Sequence, residues 1–168
     1  LITISILPRF AEFYKEKTQV DSIFKKKGEE LAPSGPGSFL LRIRESKDDI
    51  LTFKALTDQA GVWVEHETKI SDPKETEQIL LKIGFTKVFT MTKKRISGEL
   101  DDFELCLDNI KELGTYMEIA LESPDGKSSK EKIVALLNKL GFNEEQIIHK
   151  GYVAILFERL GVKFKGTG

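Results

Sequence analysis

Cysteine is almost absent from this chain, with one thiol, Cys106, in 168 residues. A lone cysteine cannot form an intrachain disulfide, which excludes a disulfide scaffold and suits a reducing compartment. Methionine is sparse, with two residues, while Lys and Glu abound, a bias that points weakly to heat adaptation. No apolar run approaches the roughly 18 residues of a membrane span, and no signal-peptide pattern is recognisable. The expectation is a soluble, cytoplasmic protein with no membrane partner. Net charge is nearly missing too, at −1, so no global field draws the chain toward nucleic acid. There is no Cys/His cluster for structural zinc and no Walker-type glycine loop.

What is present is alternation. Ile2, Ile4 and Ile6 alternate with Thr3 and Ser5; Leu41 and Ile43 with Arg42 and Arg44; Leu51 and Phe53 with Thr52 and Lys54. Val62 and Val64 alternate with Trp63 and Glu65, and Glu67 follows past His66. Phe103, Leu105 and Leu107 alternate with Glu104, Cys106 and Asp108, and Met117, Ile119 and Leu121 with Tyr116, Glu118 and Glu122. Period two with one apolar side is the strand signature. A further strand is expected over Val88–Ile96. Asp72, Pro73 and Glu75 open a helix whose stripe is Ile79, Leu80 and Ile83, ended by Gly84. Ser128 and Glu131 form a second capping box ahead of Ile133, Leu136, Leu137 and Leu140, and a short amphipathic helix is expected over Tyr152–Arg159. The Ala32–Ser38 stretch is a Gly/Pro-rich loop, either a flap or a plain connection. Lys25-Lys26-Lys27 reads as a solvated turn. The length suits one domain, 1–162, with a frayed tail over 163–168.

The polar faces of successive strands are sorted by sign. Arg42, Arg44, Lys54, Lys93 and Arg95 are basic; Glu65, Glu67, Asp108, Glu118 and Glu122 are acidic. Two arrangements fit that pattern. The charged faces can be solvated, with cross-strand ion pairs. Alternatively they line a closed sheet, where burying them demands pairing or a ligand. In the second case the bases suit phosphoryl oxygens and the carboxylates suit Mg²⁺ or Mn²⁺.

Leu41-Arg42-Ile43-Arg44-Glu45, Leu51-Thr52-Phe53-Lys54, Glu65-His66-Glu67, Lys93-Lys94-Arg95, Leu107-Asp108 and Leu113-Gly114-Thr115-Tyr116-Met117-Glu118 follow one another in that order. The set resembles the CYTH superfamily, which groups class IV adenylate cyclases with thiamine triphosphatases and inorganic triphosphatases, and the likeness runs to about Leu156. Thr18-Gln19-Val20-Asp21-Ser22-Ile23-Phe24 also looks like the segment that precedes the family's Arg-x-Arg strand. The resemblance implies an α+β fold, a closed or nearly closed eight-stranded antiparallel barrel with helices outside. It implies that Arg42, Arg44, Lys54, Lys93 and Arg95 bind a triphosphate-containing small molecule. It implies that Glu65, Glu67, Asp108 and Glu118 hold Mg²⁺ or Mn²⁺, with Lys54 and Asp108 the catalytic pair. The reaction would be nucleotidyl cyclisation or triphosphate hydrolysis; the specific triphosphate and the oligomeric state, a homodimer included, stay open.

Two departures stand out. The family's first strand carries Glu-x-Glu-x-Lys, whereas Thr3-Ile4-Ser5-Ile6-Leu7 has no charge. A second acidic residue usually follows Glu118 by two, where this chain has Ala120, although Glu122 lies on the same face. A catalytically degenerate binding module, altered residues near the start (the chain opens on Leu1) and a different alignment of the first strand all accommodate the first departure. His66 is expected on the face opposite Glu65 and Glu67, His149 near a helix end, Cys106 as a small buried residue, and Trp63 as packing at a strand end.

Overall fold

The computed structural model describes residues 12–58, 63–121, 126–143, 146–148 and 150–162. Its elements run β1 (Glu12–Lys26), β2 (Phe39–Glu45), β3 (Ile50–Leu56), β4 (Trp63–Lys69), α1 (Pro73–Lys82), β5 (Phe85–Leu100), β6 (Phe103–Ile110), β7 (Gly114–Leu121), α2 (Gly126–Lys139) and α3 (Tyr152–Arg159). The α+β class is as expected. Among the described residues the sheet has seven strands in the order β4-β3-β2-β1-β5-β6-β7 and is not closed, with β4 and β7 at its edges, where eight strands in a closed or nearly closed barrel were expected. The strand expected over Ile2–Ile6 falls outside the described residues. No helix among those described is long and apolar enough to cross a membrane.

The chain divides into two compact units. One comprises Thr18–Lys93, Lys111–Leu113 and His149–Gly168; the other comprises Leu1–Lys17, Lys94–Ile110 and Gly114–Ile148. In the first, consecutive β1 residues serve opposite faces, as the pleat requires. Phe24 joins Ile43 and the α1 residue Leu80, with Leu41, Leu51, Ile70 and Phe85 around them. Ile23 joins Phe157 of α3 and Val162, with Leu40, Val88, Phe89 and Val153 against them. In the other unit α2 packs on β7, and Leu105 and Leu136 are buried.

Local signals set the helices. The Asp72 carboxylate accepts from the Glu75 N–H at 2.9 Å, with Pro73 in the first turn, and Gly84 takes φ +98° past its end. The stripe differs from expectation: Leu80 is buried while Ile79 and Ile83 are exposed. Pro73, Thr76, Glu77 and Leu80 form the more covered side. α2 begins at Gly126, so Ser128 lies inside it instead of capping it. α3 has the expected bounds. The 32–38 loop is tied to the end of β3 by Gly37 N–H to Leu56 C=O and Leu56 N–H to Ser38 C=O, both 2.9 Å.

The strand reading missed β1. Lys25, expected in a solvated turn, lies inside that strand and is buried. Burial holds its ammonium below its ordinary range, with Glu29 working the other way.

Candidate functional site

Antiparallel register brings the first charge cluster together. Asp21 lies opposite Arg44, Arg42 opposite Thr52, and Thr52 and Lys54 opposite Glu67 and Glu65. Directly paired residues share a face, so β1 to β4 present these groups on one side of the sheet. Arg44 donates from Nε and Nη2 to the two carboxylate oxygens of Asp21, each at 2.7 Å. That fork is the strong form of the ion pair, and Asp21 is 1% exposed. Arg42 donates through Nη2 to Glu67 at 2.9 Å and to the Thr52 hydroxyl at 3.0 Å. The Thr52 hydroxyl donates in turn to Glu67 at 2.9 Å. Lys54 pairs with Glu65.

Arg42 is the uncomfortable member. Its side chain is 15% exposed, and its Nε is buried with no hydrogen-bond partner. Burial lowers its pKa from the usual arginine value, and the like charge of Arg44 adds to that, against the pull of Asp21, Glu65 and Glu67. A second buried atom without a partner is Oε1 of Gln19, two residues before Asp21. Each such group costs about 1–3 kcal/mol while unsatisfied.

The second cluster is built on β5, β6 and β7. Arg95 donates to Asp108 through Nε at 2.7 Å and Nη2 at 2.6 Å, and the same Nη2 reaches Glu118. Asp108 is fully buried and Glu118 half exposed. Burial pulls the Arg95 pKa down, but the Asp108 hydrogen bond and the charges of Glu118 and Asp108 outweigh it, so the guanidinium is held above its ordinary range. One cation thus serves two carboxylates. A donor set of one or two carboxylates is what Mg²⁺ takes alongside water and phosphate oxygens, so Asp108 and Glu118 fit a divalent ion at the position where Arg95 now supplies the positive charge.

The expected four-carboxylate metal set is not assembled: no group of three or more His, Cys, Asp or Glu among the described residues could hold a metal. Glu65 and Glu67 sit on Lys54 and Arg42 instead. Lys93 is buried, with its Nζ 5.4 Å from the Tyr152 ring centroid. Cys106 is buried, within 3.5 Å of the Ser97 hydroxyl. Burial pushes its thiol up, with Ser97 opposing, which suits a packed neutral thiol. His66 takes the opposite face from Glu65 and Glu67, facing Phe53 at 6.1 Å between ring centroids. Side-chain placement of Trp63, and all of Glu122 and His149, fall outside the described residues. Sequence patterning missed Asp21, Thr52 and Gln19. The Thr18–Phe24 likeness was the available signal for Gln19 and Asp21, and Thr52 was read only as a spacer between apolar residues.

The CYTH domain model matches residues 7–152. The chain belongs to the CYTH domain family. A relative in Methanocaldococcus jannaschii, named "Putative adenylate cyclase MJ0240", is 27% identical over 150 residues, covering 86% of this chain and 84% of that protein. A conserved hypothetical protein of Pyrococcus furiosus superposes with a TM-score of 0.74 at 28% identity, covering 90% of each chain. The PH1012 protein of Pyrococcus horikoshii OT3 superposes with a TM-score of 0.75 at 21% identity, over 91% of this chain and 93% of that one, and so speaks to the fold alone.

Proposed function

We propose that this CYTH protein is an enzyme acting on a triphosphate, by nucleotidyl cyclisation or by hydrolysis. The observation that carries the reading is Arg42, a partly buried side chain whose buried Nε is unpartnered and which lies beside the like charge of Arg44. A bound polyphosphate would supply both the missing acceptor and the missing negative charge. Arg42, Arg44, Lys54 and Lys93 are the proposed phosphate ligands, and Lys54, paired with Glu65, is the proposed catalytic cation that stabilises charge on a departing phosphoryl group. Arg95 is assigned to the phosphate as well, once its carboxylates have another cation. Asp108 and Glu118 are the proposed holders of Mg²⁺ or Mn²⁺. The ion would neutralise charge on the phosphate oxygens. Both reactions rest on positioning and charge neutralisation, with no covalent nucleophile required. The family and the relative's name support triphosphate chemistry in general.

A second reading, a polyphosphate-binding module without turnover, is favoured by one observation: no three-ligand carboxylate group exists among the described residues. Titration of ATP and tripolyphosphate by calorimetry, with and without Mn²⁺, checks both, with phosphate, pyrophosphate and cyclic nucleotide measured in the same samples. Metal-dependent turnover is expected. Binding without turnover would select the second reading, and no binding of either ligand would refute both.

A further inference from the structure

Among the described residues, two buried side-chain polar atoms lack a hydrogen-bond partner, Nε of Arg42 and Oε1 of Gln19. Buried polar groups are nearly always satisfied, so each exception calls for an explanation. Both lie in the same unit and, by strand alternation, on the same face. Gln19 is two residues from Asp21 in β1, so its side chain leaves on Asp21's side, where Asp21 meets Arg44. The register orders the row. Arg42 is level with Ile23 and Arg44 with Asp21, which places Gln19 one step, about 7 Å, farther along in the same direction.

The two orphans differ in kind. Arg42 offers a donor and Gln19 an acceptor. An ionised phosphate chain presents acceptors only, so it satisfies Arg42 and would set lone pair against lone pair at Gln19. Gln19 as a whole is only 4% exposed and its Oε1 is buried, so bulk water does not replace the missing partner. A ligand that satisfies the whole row has phosphoryl oxygens at Arg42 and Arg44 and a hydroxyl or amino group beyond them. We propose that Gln19 is a specificity-determining residue that accepts a hydrogen bond from the organic part of the substrate, so that the site takes a nucleoside triphosphate in preference to inorganic tripolyphosphate. This rests on the triphosphate reading above and narrows its substrate class.

Sites built to hydrogen-bond a substrate group reject analogues that lack it, because the protein's own polar atom is then left buried and unpaired. Gln19→Leu removes the acceptor at similar volume and relieves the orphan, so the variant should fold with an unchanged or raised Tm. Calorimetry with Mn²⁺ should show its ATP affinity falling about tenfold, in line with one lost hydrogen bond, with tripolyphosphate affinity changed less than about twofold. Gln19→Glu keeps an acceptor and should retain more of the ATP preference than the Leu variant does. The 2′-deoxy and 3′-deoxy forms of ATP then tell a sugar hydroxyl from a base amino group. Equal weakening of ATP and tripolyphosphate in Gln19→Leu, or an unchanged ATP affinity, would overturn the assignment while leaving the triphosphate reading standing. A wild-type protein that binds neither ligand would sink both.

Discussion

The two charge clusters follow different rules. On β1 to β4 three bases meet three acids, yet one base, Arg42, keeps a buried nitrogen without a partner. On β5 to β7 one base, Arg95, is shared by two acids. The first is balanced in charge but short of an acceptor; the second has its hydrogen bonds but is short of positive charge. In the proposed function the first takes the anion and the second the cation. Within each cluster a further contrast holds. Arg44–Asp21 and Arg95–Asp108 are two-pronged pairs on carboxylates that are almost or wholly buried, and removing the base takes a strong counter-ion from a buried charge. Arg42–Glu67 and Lys54–Glu65 end on carboxylates that water can reach.

The sharpest way to break this comparison is Arg95→Ala. Taking the two-pronged cation away from the buried Asp108 carboxylate should cost about 3–5 kcal/mol, read as a shift in the denaturant midpoint, and Arg95→Met combined with Asp108→Leu should recover most of it. A loss no larger than that of a surface pair would show that Asp108 is less enclosed than its contacts imply. Arg42→Ala is the counterpart. Its stability should move by less than about 1 kcal/mol, because Glu67 is half exposed and a desolvated guanidinium is removed, while triphosphate affinity falls at least about tenfold. A large stability loss with unchanged affinity would make Arg42 a structural residue.

The smallest effect concerns Lys25 and sharpens the account of the first unit. Burial lowers its folded pKa below the ordinary lysine value of 10.5, so the unfolded chain holds the proton more tightly. The penalty is therefore full below the folded pKa and fades as pH rises through it toward the unfolded value. Lys25→Met should be the more stable protein near neutral pH, with its advantage shrinking at alkaline pH in melts run as a pH series. An advantage that grows with pH would contradict the burial argument, and no advantage would mean that the contact with the Phe157 ring offsets the burial.

Those elements whose inner and outer faces differ in polarity were legible: β2, β3, β4, β6 and β7 alternate cleanly, and the Asp72 cap and α3 stand where patterning put them. β1 was hidden because Gln19, Asp21 and Lys25 on one face and Ser22 on the other are buried polar groups, so neither face of the strand reads as apolar. Sheet closure was not legible at all, since period two gives faces and pairs but not the number of strands. The basic and acidic candidates were found by type and spacing. Their partners were not, because which Glu meets which Arg depends on register, and register is a long-range property. The expected metal set illustrates this: Glu65 and Glu67 look like ligands in one dimension and are the counter-ions of Lys54 and Arg42 in three.

Ile23 and Phe24 are neighbours in sequence that belong to separate hydrophobic clusters on opposite faces of β1. A one-residue insertion or deletion between Gln19 and Ile23 would shift every side chain on one side of it to the other face, sending Asp21 away from Arg44 or exchanging the two core anchors. This part of the strand can drift by substitution, or by length changes of two with loss of a pairing, but has no route through single steps in length. Across homologues, gaps should therefore gather in the 27–38 connection and stay out of the 19–24 segment.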